Sequence, residues 1–163
     1  MNRLLLLALL AAALAGSLAL SSPAAGAATI QPSAAAVGHG YGGSHAGNAA
    51  LNWAEAHATG HWYAYGGAGP SVYDCSGLIM AAFAHGAGIS LPHSTYGIPG
   101  NRHVHRIPLS WARRGDILAF GSGHMELDTI WPHVSFGAHH SGTQVGWRGW
   151  SGWYQPTAAY RVS

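Results

Sequence analysis

The apolar residues of this chain change their period part-way along, and that change dictates the kind of fold open to it. Between Asn48 and His57 the spacing is helical. Leu51, Ala54 and Ala58 share one face, with Asn48 as predicted N-cap and Gly60 as the stop. A loop carrying Gly66, Gly67, Gly69 and Pro70 leads to a second predicted helix, from about Cys75 to Ala84. There Leu78 with Ala82, and Ile79 with Phe83, make a stripe to bury. Asp74 stands at the N-cap, and Gly86 with Gly88 marks the end. A turn-rich stretch covers Pro92 to Arg106. Beyond it the period falls to two, through Ile117, Leu118 and Phe120, then Met125 and Leu127, then Val134 and Phe136. A last extended segment spans Thr157 to Val162. Helices first and antiparallel strands afterwards predict an α+β domain.

The first residues read as an export signal. Arg3 precedes an apolar run from Leu4 to Leu20, and small residues from Pro23 to Ala28 follow. Residues 1–27 are therefore the expected signal peptide, with cleavage after Ala27 or Ala28. The other reading is a retained anchor, but 17 apolar residues broken by Gly16 and Ser17 sit at the lower limit for a membrane span. No stable membrane insertion is expected after cleavage. Residues 28–47 read as a flexible Gly/Ala/His-rich linker. Gly38, Gly40 and Gly43 within it spell a GxGxxG pattern. No strand precedes it and no helix follows, so it is not read as a phosphate loop. What remains, 48–163, has the size of one domain.

Composition removes several partner classes. Charged residues make up 7% of the chain, against roughly 25% in an average soluble protein. All seven basic residues are Arg, five acids oppose them, and the formal charge is +2. Arg102, Arg106, Arg113 and Arg114 form the main positive cluster, which is too sparse for the basic stripe of a nucleic-acid binder. No nucleic acid is expected. An apolar content of 48% supplies a core and excludes wholesale disorder.

Export makes the single cysteine informative, because a secreted domain normally pairs its cysteines or avoids them. Cys75 opens the second predicted helix, where unpartnered amides and the helix dipole favour an anion. A free thiol of pKa ~8.5 is only about 3% thiolate at neutral pH, and making thiolate the majority form requires about 3.4 kcal/mol. A helix dipole supplies about 0.3–1 kcal/mol, so an imidazolium must provide the remainder. Among twelve histidines, position singles out His124. It follows the Gly121-Ser122-Gly123 reversal, at the head of a strand that sends Met125 and Leu127 one way and His124 and Glu126 the other. That alternation fits a sheet edge lining a cleft, and equally an exposed strand histidine.

Three blocks of sequence carry a family resemblance. They are Tyr63-Ala64-Tyr65-Gly66-Gly67, Tyr73-Asp74-Cys75-Ser76-Gly77-Leu78-Ile79, and Gly88-Ile89-Ser90-Leu91-Pro92-His93-Ser94. With Arg113 to Phe120 and then Gly123-His124, the chain resembles the NlpC-type cysteine endopeptidases of bacterial cell walls. The resemblance implies a papain-like core, with N-terminal helices packed on a small antiparallel sheet and 48–163 as the catalytic domain. It implies Cys75 as nucleophile and His124 as general base. Tyr63 would lie near the oxyanion, and Asp74 and Ser76 would line the substrate cleft. It further implies secretion, association with the cell wall, and hydrolysis of peptidoglycan stem peptides after γ-D-glutamate, with possible contact to the glycan. No cofactor enters this chemistry. A Cys/His amidase cutting elsewhere in the wall and an inactive wall-binding module are the rival readings.

The third polar residue departs from the family pattern. The family places a His on the strand after its catalytic histidine, where the closest match here is Gly137. His139, two residues on, is the favoured orienter of His124, with His140 and Glu126 as competitors. No metal is expected, since neither HExxH nor a thiolate-rich set is present. Trp147, Trp150 and Trp153 read as packing on a sheet edge or in a loop, ahead of glycan stacking, and Trp53 and Trp62 as core.

Overall fold

The computed structural model describes residues 42–163. The expected export segment and the first part of the expected linker lie outside the described residues. The first helix, α1, spans His45–His57, three residues earlier than predicted. Ser44 is its cap, with Oγ accepting from the Gly47 amide at 2.9 Å. Asn48 instead donates its side-chain amide back to the carbonyls of Gly43 and Ser44. Residues 45–47 are thus helical rather than linker.

The second helix, α2, spans Cys75–Ala87 with Asp74 as its N-cap, as predicted. It passes through Gly86 and ends at Gly88, whose φ of 69° is left-handed. Gly86 marks the crossing of α1 and α2 rather than a stop, because a Cβ there would lie 2.5 Å from the Ala49 carbonyl oxygen. Ala50, Leu51 and Ala54 of α1 meet Leu78, Ile79, Ala82 and Phe83 of α2 in one core. Burying each of the larger side chains fully contributes roughly 1.5–3 kcal/mol.

The helices pack with a six-stranded antiparallel sheet. Its strands are β3 (Val104–Ile107), β4 (Ile117–Phe120), β5 (His124–Asp128), β6 (Val134–Gly137), β7 (Gly146–Gly149) and β8 (Ala158–Val162), after a two-residue parallel pair β1 (Trp62–Tyr63) and β2 (Val72–Tyr73). The order is β3-β8-β4-β5-β6-β7. Because β8 returns between β3 and β4 while β6 and β7 extend the other side, β5 is an interior strand, not the edge that its alternation suggested. Its polar face is covered as well: Glu126 is fully buried. β3 lies at the end of the stretch read as turns, and β7 in the Trp/Gly run. Trp53 packs against the core, whereas Trp62, on the two-residue strand, is 57% exposed.

Two carboxylates meet where β4 begins and β5 ends. Asp116, fully buried, accepts from Arg161 Nε at 3.0 Å, Arg161 Nη2 at 2.7 Å and the Arg113 amide at 2.8 Å. Burial pushes the nearby Asp128 up to about 6; the Asp116 carboxylate adds to this, while the Thr129 amide and Arg113 oppose it. Its folded value lies above the ordinary 3.8, so ionised Asp128 destabilises the fold fully above about pH 6. That penalty fades as the pH falls toward 3.8. Asp128→Asn is therefore expected to raise Tm at pH 7.5 and leave it nearly unchanged at pH 4. Equal shifts at both pH values would contradict this account.

Candidate active site

Cys75 is the first residue of α2, at the positive end of the helix. It is 7% exposed and lines a cleft of about 360 Å³ with Tyr63, Asp74, Ser76, His93 and Tyr96. Two larger hollows, of about 480 and 540 Å³, adjoin Trp131 and do not include the thiol. Sγ lies 3.9 Å from the carbonyl oxygen of Gly123, the residue before His124. The head of β5 is thereby seated against the first turn of α2.

His124 Nε2 is 2.7 Å from Glu126 Oε1, which leaves Nδ1 as the nitrogen available to the thiol. Burial alone would push the ring below its ordinary 6.5. The Cys75 thiol and the Glu126 carboxylate against it reverse that effect and hold it at about 9.

Glu126 is the direct partner of His124. Its Oε1 also receives His139 Nδ1 at 2.7 Å and the Tyr154 hydroxyl at 2.8 Å, and Oε2 receives the Ser135 hydroxyl. Burial works to raise the Glu126 carboxyl, but the hydrogen bonds from His124, His139 and Ser135 hold it far below the usual carboxylate range. This corrects the assignment of His139 as the residue orienting His124, because His139 reaches His124 only through Glu126. The reason is the strand period: Glu126 is two residues from His124 and shares its face. Continuing the pairing of Leu127 with Phe136 puts Gly137 opposite Glu126, and a Cβ there would lie 2.6 Å from Glu126 Cγ. His140 is exposed and turns its ring to the Ser141 carbonyl.

Asp74 and Ser76 belong to the framework of the cleft. Asp74 Oδ1 meets the Gly77 amide at 2.7 Å, His93 Nε2 at 2.8 Å and Ser76 Oγ at 3.2 Å, while Oδ2 accepts from the Gly66 amide at 2.8 Å. Burial would raise this carboxyl, yet those donors keep it below its ordinary value. Burial pushes the Tyr63 hydroxyl up, and Cys75 and Asp74 push it further. Two participants carried no assigned role in the sequence reading. His93 sits inside a quoted block, so its signal was present, whereas Tyr154 lies in the Trp/Gly region with nothing to mark it. The ligand atoms of His124, Glu126 and His139 lie within 4.8 Å of one another, and two imidazoles with a carboxylate are a zinc-competent set. Ligation would require Glu126 to release Tyr154 and the imidazoles to give up the protons they now share with it.

The NlpC/P60 family model matches residues 60–145. The chain belongs to the NlpC/P60 family. Over 60 residues it is 47% identical to probable endopeptidase Rv2190c of Mycobacterium tuberculosis, a match covering 37% of this chain and 15% of that protein. Over 68 residues it is 41% identical to peptidoglycan endopeptidase RipA of the same organism, covering 40% of this chain and 13% of that one. The chain thus corresponds to a small part of either relative. The crystal structure of the NlpC/p60 domain of peptidoglycan hydrolase SagA matches with a TM-score of 0.60 at 26% identity, over 72% of this chain and 97% of that one. The fold is the α+β, papain-like fold of NlpC/P60 domains, as the sequence resemblance implied.

The raised value of His124 has a stability consequence. Since the folded value exceeds 6.5, the contribution is full below about pH 6.5 and is lost as the pH rises through about 9. Urea unfolding is expected to show that decline in the wild type and a flatter profile in His124→Gln. Gly137→Val is expected to destabilise by about 1–3 kcal/mol through overpacking on Glu126. It should also move the NMR titration of His124 toward lower pH. A His124 titration unaffected by Gly137→Val would mean that Glu126 does not set the state of the ring.

Proposed function

We propose that this chain is a secreted cysteine endopeptidase that hydrolyses the stem peptides of peptidoglycan, cutting after the γ-D-glutamyl residue. One observation carries the reading: a lone thiol at a helix N-terminus lies against an imidazole held by a buried carboxylate. Family membership and relatives named peptidoglycan endopeptidase or hydrolase support the substrate class. Arg3 and the apolar run from Leu4 to Leu20 support export, and hence action at the cell wall.

In this reading Cys75 is the nucleophile, His124 the acid and base, and Glu126 the group that orients the ring. The sulfur attacks the scissile carbonyl, an S–C bond forms, and the carbonyl oxygen becomes an oxyanion beside the Cys75 amide and the Tyr63 hydroxyl. The Cys75 amide belongs to the first turn of α2, where amides have no partner within the helix. The tetrahedral adduct collapses as the C–N bond breaks and His124 protonates the departing amine. Water then loses a proton to His124 and attacks the thioester. The S–C bond breaks, the acid is released, and the thiolate and imidazolium are restored. Thiol, imidazole and water suffice, so the proposal invokes no cofactor. Asp74, Ser76 and His93 form one wall of the cleft, and Tyr65 and Tyr96, 92% and 76% exposed, stand at its rim.

The test is digestion of purified muropeptides with mass analysis of the products. The expected products are a fragment ending in γ-D-glutamate and a free diamino-acid amine. Cys75→Ala is expected to lower turnover by ~10³-fold or more. Release of intact stem peptide from glycan would replace this reading with that of a wall amidase. Wall binding without turnover in either protein would replace it with that of a binding module.

A further inference from the structure

His139 is almost entirely buried, with a side chain 7% exposed, and both of its ring nitrogens face acceptors. Nδ1 is 2.7 Å from Glu126 Oε1, and Nε2 is 3.1 Å from the Gly146 carbonyl oxygen. A backbone carbonyl cannot donate, and neither can an ionised carboxylate. A neutral imidazole has one N–H and one lone pair, so it would leave one of the two contacts acceptor against acceptor. Only the doubly protonated ring satisfies both.

A cation at this position answers a difficulty in the reaction cycle, and this inference rests on the reading of His124 as acid and base. Glu126 is fully buried, and its remaining partners, Ser135 and Tyr154, are neutral hydroxyls. When His124 passes its proton to a leaving amine, a buried carboxylate with no other cation would be left uncompensated and would pull the proton back. The charged and titratable groups that face this cluster are Cys75 from α2, His124 and Glu126 from β5, and Tyr154 with Arg148 stacked over its ring at 4.4 Å. None of these is a fixed cation in contact with Glu126. We propose that His139 is a positioning residue, an imidazolium that keeps Glu126 ionised and aligned while His124 gives up and regains its proton.

NMR of the wild-type protein with ¹⁵N-labelled histidine reads this directly. Both His139 ring nitrogens should be protonated at neutral pH, before and after alkylation of Cys75. A neutral His139 with one bare nitrogen overturns the proposal, whatever the enzyme does. The kinetic arm uses His139→Gln, which keeps a donor but not the charge. With the charge removed, Glu126 should hold the His124 proton more tightly. The basic limb of the kcat–pH profile should then rise by roughly one unit, with kcat down about 10-fold or more and KM little changed. A purely structural role would lower Tm and leave the basic limb where it was, which would also overturn the proposal. If the protein proves not to be a peptidase, the doubly protonated ring still stands or falls on the NMR measurement.

Discussion

The site is organised by a carboxylate that has no access to water. Ionised Glu126, buried without partners, would cost several kcal/mol or else take up a proton. It accepts from His124, His139, Tyr154 and Ser135, so its oxygens are fully engaged. These donors come from β5, from β6, from the turn after β6 and from the segment before β8. The orientation of His124 is therefore a product of assembling the sheet. Tyr154 shows the coupling: its ring stacks on Phe120 of β4 at 4.6 Å while its hydroxyl, pushed well above its ordinary value by burial and by Glu126, remains a donor.

That carboxylate needs room, and Gly137 provides it. The position at which the sequence resemblance implies a third polar side chain, on the strand after His124, is Gly137 and carries none. Glu126, reaching across from the neighbouring strand, fills the space. In the proposed mechanism Glu126 would serve His124 from there, because facing residues of adjacent antiparallel strands address the same volume. Placement on an interior strand also favours precision, since β5 is held on both sides by β4 and β6. On the sulfur side the equivalent restraint is α2, fixed against α1 at the glycine crossing of Gly86.

Local signals were legible in the sequence wherever chemistry and backbone coincide. Asp74 before Cys75 is at once a helix cap and part of a family block, and the Gly-rich reversal before His124 announces the strand that carries it. Long-range facts were not legible. That β5 is interior depends on β8 returning between β3 and β4, and nothing local to His124 records this. The alternation of Met125 and Leu127 with His124 and Glu126 reads as one wet face, yet a tyrosine from the chain's far end covers it. For the same reason His139 looks like the orienter from sequence: strand parity gives the face a residue occupies, but not whether Glu126 on the same strand or His139 beyond the next one reaches the ring. Gly86 and Trp62 misled in a simpler way. A glycine near a helix end signals either a stop or a close approach, and a tryptophan on a two-residue strand has little core to enter.

A second carboxylate lies one residue from the sulfur, and the protein handles it differently. Asp74 is a negative charge next to a position where the proposed chemistry requires another, so an unscreened Asp74 would oppose it. Its oxygens are instead spent on the Gly77 and Gly66 amides, Ser76 and His93, which join the first turn of α2 to two loops of the cleft. The carboxylate thus shapes the walls while its charge is shared among the donors that hold it. What field remains acts on Tyr63, whose hydroxyl is held above its ordinary value by burial, Cys75 and Asp74. A tyrosine held in its protonated form can only help an oxyanion as a donor. The two buried carboxylates therefore divide the work, Glu126 holding the ring and Asp74 the cleft, and neither is free to take the thiol's place against His124.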